Sequence, residues 1–121
     1  MLKCLLVGMG GFIGSVARYL IGLIPLREKT IFPIKTLMIN IVGAFLISLI
    51  VTIGAKNKNI SANLILMLKV GICGGFTTFS TFAFESVELF QEGHTIMSIS
   101  YVLLSVLLGI FAVYFGQIIV K

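Results

Sequence analysis

The stretch from Gly74 to Phe82, GGFTTFSTF, places phenylalanines and hydroxyl side chains together inside an otherwise apolar chain. Phe79 and Phe82 are three residues apart, so they share one face of a helix. An aromatic ring has a negative face and a positive edge, and the edge can meet a small anion that has lost some of its water. The neighbouring hydroxyls of Ser80 and Thr81 can donate hydrogen bonds to such an anion. Lipid or core packing is the more common role of such a phenylalanine pair, so both interpretations stay open.

Asn40 places an amide inside a second apolar stretch, with Gly43 and Ala44 one turn further along on the same side. An amide in hydrocarbon is costly unless it is paired, so Asn40 should face protein or water. Its two donors and its acceptor suit a partly dehydrated anion on a polar path. The same amide could simply join two helices.

A stripe of small and polar residues follows the last apolar segment in steps of three and four. Its members are Ser98, Tyr101, Ser105, Gly109, Ala112 and Gly116. Such a stripe is more often a packing surface than a pathway. Together with Asn40, it becomes a candidate polar track.

The same stretch of residues 74–82 also predicts a break in its helix. Two adjacent glycines followed by two threonines are poor helix formers, so we expect an interruption near Gly74 to Thr78. Broken backbone at membrane depth survives only where it is buried in protein or lines a cavity. Carbonyls freed by a break are good ligands for a hard cation such as sodium.

The composition identifies the element that must position these residues as a membrane-spanning helix. Of the 121 residues, 59% are hydrophobic and 11% charged, and the mean hydropathy is +1.18. Such a chain has too little polar surface for a soluble globule. It divides into four apolar segments, each long enough to cross a bilayer: residues 4–25, 36–55, 62–90 and 96–119. We therefore predict an all-α membrane protein with four transmembrane helices, in which residues 1–121 form a single integral membrane domain without a cleaved signal.

Positive charges are almost evenly divided between the two sides of the membrane. If the helices alternate in direction, one side receives Lys3, Lys56, Lys58 and Lys121, and the other receives Arg27, Lys29 and Lys35. Orientation normally follows the excess of Lys and Arg in cytoplasmic loops, so this near tie suggests that both orientations could insert. The alternative is a unique topology in which one side dominates weakly. Four helices fill their own centre with side chains, so a polar path would need further walls. Dual insertion would allow an antiparallel twofold dimer.

The first segment carries glycines that resemble a nucleotide-binding signature only superficially. Their spacing in VGMGGFIGS does not match that signature, and no strand and crossover unit surrounds them. Gly10 and Gly14 instead form a small-xxx-small pair, which lets a neighbouring backbone approach closely. We therefore interpret this segment as a packing helix.

Taken together, these motifs resemble the Fluc (CrcB) family of fluoride ion channels. GGFTTFSTF is very similar to the family's signature, and the similarity runs through GGFIGSVARY, KTLMINIVGAF, Glu85 and the Tyr and Ser residues of the last segment. The resemblance implies an antiparallel homodimer with two fluoride pores and a structural sodium ion at the centre of the interface.

The resemblance also implies roles for individual residues. The fluoride pathway would include Asn40, Phe79, Phe82, Ser80, Thr81, Tyr101 and Ser105. Backbone carbonyls of Gly74 and Thr77 would bind the sodium ion. Arg18 would lie near the aqueous vestibule, and Glu85 would tune the pore. The partners implied are fluoride, sodium, membrane lipid and a second copy of the chain, with no nucleic acid.

The function predicted by this resemblance is passive export of fluoride across a microbial cell membrane, not an enzymatic reaction. The single histidine, His94, has no second metal ligand at a suitable spacing. One alternative is a small proton-coupled multidrug transporter, although the first segment lacks the acidic residue that such a transporter needs. The other is an accessory membrane subunit, which would explain the glycines but not the clustered Phe and hydroxyl residues.

Overall fold

The structure, a computed structural model, describes residues 1–26 and 30–120, and all the regular secondary structure in these residues is helical. Three spans are single helices: α1 (Leu2–Gly22), α2 (Ile34–Lys56) and α6 (Thr95–Val120). The third span, Ala62–Gln91, is composed of shorter pieces. All four are long and apolar enough to cross a membrane, which confirms the predicted number of spans and, within a few residues, their bounds. Arg27, Lys29 and Lys121 of the charge prediction lie outside the described residues.

The third span is interrupted where the sequence predicts a break. Its pieces are α3 (Ala62–Leu66), a π-helical segment π1 (Met67–Cys73), α4 (Gly74–Phe76) and α5 (Phe79–Gln91). Between α4 and α5, Thr77 has φ −85° and ψ 157°, and Thr78 has φ −147° and ψ 119°. Both are extended conformations, so the helix stops for two residues and then resumes. The predicted interruption near Gly74 to Thr78 is confirmed, and the two glycines themselves remain helical.

The widened turns of π1 were not predicted. Nothing in MLKVGIC distinguishes a π-helix from an α-helix by propensity, and such segments are rare. Two buried residues of π1, Gly71 and Cys73, face the protein. The segment packs directly against α1, and this contact forms only in the folded chain.

Glycines bring α1 and the third span into backbone contact. Gly10 and Gly14 are the buried residues of α1. A Cβ atom on Gly10 would lie 2.6 Å from the Met67 carbonyl oxygen, and one on Gly75 would lie 2.7 Å from the Gly11 carbonyl oxygen. The small-xxx-small pair predicted in α1 is therefore confirmed. Its counterpart is a second such pair, Gly71 and Gly75.

The other extensive contact joins α2 to α6. The Ser48 hydroxyl donates a 2.5 Å hydrogen bond to the Val113 carbonyl. A Cβ atom on Gly116 would come within 2.8 Å of the same hydroxyl oxygen. The stripe predicted on the last segment supplies the buried residues of α6, Ser98, Tyr101, Ala112 and Gly116. Gly109, also in that stripe, has no neighbour within 4 Å of a Cβ position.

A small buried cluster lies where α2, α5 and α6 meet. Leu37, Leu89 and Tyr101 form its centre, with Phe82 packed against them. Most other large apolar side chains are exposed, which is the surface that lipid or a second protein would cover. The fold thus leaves the break of the third span beside this small core and close to α2 and α6.

Candidate functional site

A cavity of about 400 Å³ lies beside the break, between α2, the third span and α6. Its walls are apolar except for a few hydroxyl, amide, thiol and backbone groups. The lining residues are Asn40, Gly43, Ala44, Ile47, Cys73, Gly74, Thr77, Thr78, Phe79, Phe82, Ser105 and Val106. Residues from three spans that are distant in sequence therefore surround one space.

Asn40 is bound to the broken backbone at both ends of its amide. The Thr78 N–H donates to Asn40 Oδ1 at 2.9 Å, and Asn40 Nδ2 donates to the Thr78 carbonyl at 3.1 Å. The amide nitrogen carries two protons, and the carbonyl needs only one of them. Asn40 therefore retains a second N–H that Thr78 does not use.

The backbone at the break has exchanged helical hydrogen bonds for side-chain ones. In a continuous helix the Gly74 carbonyl would accept from the Thr78 amide, but that amide donates to Asn40. The Thr77 carbonyl would accept from the Thr81 amide, which donates instead to the Thr78 hydroxyl at 3.2 Å. These two carbonyls have lost the donors that a helix would supply. They are also the two carbonyls that the family resemblance implies as sodium ligands.

Two other carbonyls at the break have partners. The Cys73 carbonyl accepts from both the amide and the hydroxyl of Thr77, at 3.0 and 2.9 Å. The Gly75 carbonyl accepts from Arg18 Nε at 3.2 Å. Arg18 thus reaches from α1 to the break and stabilises the carboxyl end of α4, where cations are favoured.

The two phenylalanines of the signature differ in their surroundings. Their ring centroids are 5.8 Å apart with a tilt of 53°. Phe82 is half-buried and packs edge to face on Tyr101, with centroids 5.2 Å apart. Phe79 is 78% exposed in the single chain. The predicted shared face is confirmed, but only Phe82 is half-buried by other residues of the chain.

Tyr101 connects this cavity to a second one. Its side chain is fully buried, and its hydroxyl donates to Glu85 Oε1 at 3.1 Å. Glu85 lines a second cavity of about 380 Å³, together with Glu88, Glu92, Lys35 and residues around Phe32. Because Phe82 lines the first cavity and Glu85 the second, Tyr101, which contacts both residues, stands between the two spaces.

Comparison with known proteins places this arrangement in a family. Residues 5–117 match the family model described as "CrcB-like protein, Camphor Resistance (CrcB)". The chain belongs to this family. It is 38% identical over 120 residues to "Fluoride-specific ion channel FluC" of Azobacteroides pseudotrichonymphae, covering 98% of this chain and 96% of that protein.

Other CrcB relatives share comparable similarity. The proteins of the same name from Chlorobium phaeobacteroides and Agrobacterium fabrum are 42% and 45% identical over 117 residues. The alignments cover 97% and 96% of this chain, and 91% and 94% of those proteins. The similarity therefore extends over all four spans and is not confined to the signature.

The structure brings most of the predicted CrcB pathway residues together, but not all. Asn40, Phe79, Phe82 and Ser105 line the first cavity, and Tyr101 adjoins it. The Ser105 hydroxyl oxygen is buried and has no hydrogen-bond partner among the described residues. Ser105 lines the cavity, although its hydroxyl oxygen has almost no exposed surface of its own.

The hydroxyls inside the signature lie elsewhere. Ser80 and Thr81 are not among the described residues that line the cavity, and the Ser80 hydroxyl is exposed, 3.4 Å from that of Thr78. Thr78, not predicted as a site residue, holds the centre of the arrangement. It caps α5 through its hydroxyl and binds Asn40 through its backbone. A threonine directly before a resuming helix is a recognisable N-cap signal, so the first role could have been found in the sequence.

Proposed function

We propose that this protein is a fluoride-selective ion channel that lets fluoride leave the cytoplasm passively. The observation that carries the proposal is the meeting of Phe79, Phe82, Asn40 and Ser105 around one cavity beside the broken span. The curated relatives named "Fluoride-specific ion channel FluC" support the same function.

The cavity offers fluoride a replacement for part of its hydration shell. Fluoride holds water strongly, so a pore must supply several hydrogen-bond donors in a narrow path. The second N–H of Asn40 and the Ser105 hydroxyl are such donors, and the positive ring edges of Phe79 and Phe82 complement them. None of the described lining residues is charged. A fixed cation there would bind the anion tightly and impede its release, whereas conduction needs weak binding.

The remaining predicted residues extend the path in this proposal. Tyr101 would pass the ion from the Phe82 edge toward the Glu85 side, and Glu85 would tune the pore by accepting the hydrogen bond that the Tyr101 hydroxyl donates. Ser80 and Thr81 would serve the part of the path beyond the cavity. Arg18 would act near the vestibule while its Nε holds the Gly75 carbonyl.

The functional unit in this proposal is an antiparallel, dual-topology homodimer with two pores. Support comes from Phe79, whose exposed ring is half of the cavity's aromatic wall and lacks a cover in the single chain. A second copy would complete the wall, and the even charge division described above permits its inverted insertion. Passive efflux across a bacterial inner membrane would then confer fluoride resistance.

The break fits a structural sodium ion at the dimer interface. Sodium is a hard cation that prefers oxygen ligands, and the Gly74 and Thr77 carbonyls are the two that lost their helical donors to Asn40 and the Thr78 hydroxyl. In the proposed dimer each chain would contribute both carbonyls. The ion would compensate their negative partial charges and hold the two breaks together.

Fluoride efflux from liposomes tests the channel. The purified protein is placed in vesicles loaded with potassium fluoride, and in parallel vesicles loaded with potassium chloride. Valinomycin then lets potassium leave, so that anion efflux is not limited by the build-up of charge. We expect rapid fluoride efflux and negligible chloride efflux. Phe79→Ile should reduce the fluoride rate at least about tenfold because it removes the ring edge.

Phe84→Ile is the matched control, because Phe84 lies on the same helix, is 69% exposed and does not line the cavity. It should conduct as the native chain does. No fluoride efflux from the native protein would refute the proposal and leave the multidrug transporter and the accessory subunit. A proton-coupled drug-uptake assay would then separate these two.

A further inference from the structure

We infer that Asn40 is a positioning residue that holds the break of the third span in its extended form. By doing so it keeps the Gly74 carbonyl free and Phe79 at the cavity. Its consequence for fluoride flux rests on the channel function proposed above. The effect of Asn40 on the backbone of the break does not depend on fluoride.

The two hydrogen bonds of Asn40 go to a single residue, and to its backbone. Thr78 N–H donates to Oδ1 at 2.9 Å, and Nδ2 donates to the Thr78 carbonyl at 3.1 Å. A side chain that only lined a pathway would direct its polar atoms to the cavity. Asn40 instead uses its acceptor and one of its two Nδ2 protons on backbone groups that the break has removed from the helix.

The Thr78 amide has two competing acceptors. Bonded to the Gly74 carbonyl, it would continue the helix; bonded to Asn40, it leaves that carbonyl without its helical donor. Asn40 therefore stabilises the extended backbone by direct competition with the helical bond. Phe79 follows Thr78 immediately, so the direction of its ring depends on which of the two acceptors binds the Thr78 amide.

The conformation of Thr78 can be followed without measuring transport. In protein labelled with ¹³C,¹⁵N-threonine and held in detergent micelles, NMR reports the exchange rate of the Thr78 amide and the Thr78 Cα shift. Asn40→Leu keeps a similar volume and removes both hydrogen bonds. We expect Thr78 exchange to rise roughly tenfold, because the amide loses its acceptor and the adjacent glycines disfavour a continuous helix.

Rescue by a conservative variant separates positioning from general damage. Asn40→Asp presents an acceptor oxygen to the Thr78 amide whether or not it is ionised, so its Thr78 exchange should return toward the native rate. Ser105→Ala removes a hydroxyl from the same cavity that has no described partner, and it should leave the Thr78 signals unchanged. Thr52, on the same helix as Asn40, reports whether the fold is intact. If Asn40→Leu does not assemble, Asn40→Ala provides the same comparison.

The outcomes are distinct. Faster Thr78 exchange, or a Cα shift that moves to helical values, supports the inference, provided that Thr52 is unchanged. Native exchange and a native shift in Asn40→Leu overturn it, even if fluoride efflux is lost, since Asn40 would then act only as a pathway donor. Failure of the native protein to conduct fluoride would refute the proposed function and leave the Thr78 result valid.

Discussion

At the scale of single residues, the polar groups of the site differ in whether other groups of the protein already hydrogen-bond to them. Asn40 uses its amide oxygen and one of its two Nδ2 protons on Thr78, whereas the Ser105 hydroxyl has no described partner. Tyr101 is anchored at its hydroxyl by Glu85 and packed at its ring by Phe82 and Phe32. Buried polar groups are normally paired, and the Ser105 hydroxyl is the exception among the described residues of this site.

Tyr101→Phe should lower the free energy of unfolding by roughly 1 to 2 kcal/mol, because Glu85 loses the donor that lies 3.1 Å away while the ring remains. Unfolding in a detergent titration measures the change. Tyr114→Phe is the control, since Tyr114 lies on the same helix and is 61% exposed. Equal effects of the two substitutions would contradict an energetic role for the Tyr101 to Glu85 hydrogen bond.

At the scale of elements, the third span is positioned by glycine contacts and completed by side-chain caps. Gly71 and Gly75 allow α1 to approach the segment that precedes the break. Arg18 and the Thr78 hydroxyl then satisfy backbone groups on the two sides of the break. Irregular backbone persists inside the membrane because a neighbouring helix and a side chain of the break itself supply these partners.

Gly10→Ala should destabilise the fold by about 1 to 3 kcal/mol, because the new Cβ would lie 2.6 Å from the Met67 carbonyl oxygen and force the helices apart. Gly8→Ala, on the same helix with no atom within 4 Å of its Cβ position, should leave stability unchanged or raise it by up to about 1 kcal/mol. Thermal unfolding of both variants in one detergent measures the difference. If Gly8→Ala proves as damaging as Gly10→Ala, the contact with the third span is not the cause.

At the scale of the whole molecule, the single chain leaves much apolar surface uncovered. Phe79 is the informative case, because its ring is exposed in the single chain although it lines the cavity. Lipid that covered this ring would not supply the polar surroundings that the cavity needs. Dimerisation in opposite orientations would bring the two breaks together. It requires that the chain insert both ways, which its charges control.

A cysteine placed in the second loop tests the orientation. In a background of Cys4→Ser and Cys73→Ala, Asn57→Cys should be labelled by an impermeant maleimide in about half of the molecules in intact cells. Adding Lys56→Gln and Lys58→Gln leaves Lys3 and Lys121 against Arg27, Lys29 and Lys35, so the second loop should move outward and its labelled fraction should rise. Lys56→Arg with Lys58→Arg keeps the charge and should keep the ratio. Labelling of nearly all or nearly none of the molecules before these changes would exclude dual topology.

The sequence by itself determined the membrane environment, the four spans, the packing glycines and the place of the break. These features follow from local composition and spacing: apolar runs of sufficient length, Gly10 and Gly14 four residues apart, and Gly-Gly-Phe-Thr-Thr in mid-span. Phe79 and Phe82 were predicted to share a face because helical periodicity is local as well. The resemblance to the channel family rested on the same motifs.

Only the tertiary structure decided which groups meet. Asn40 and Thr78 are 38 residues apart in sequence, and Tyr101 and Glu85 are 16 apart on different helices. A hydroxyl or an amide has several potential partners, and the packing of the helices selects one of them. For that reason Ser80 and Thr81, adjacent to Phe79 and Phe82 in sequence, lie away from the cavity, whereas Ser105 from the last span lines it. The π-helical turns of Met67–Cys73 likewise lie where the third span meets α1, and residue propensity within that segment does not indicate them.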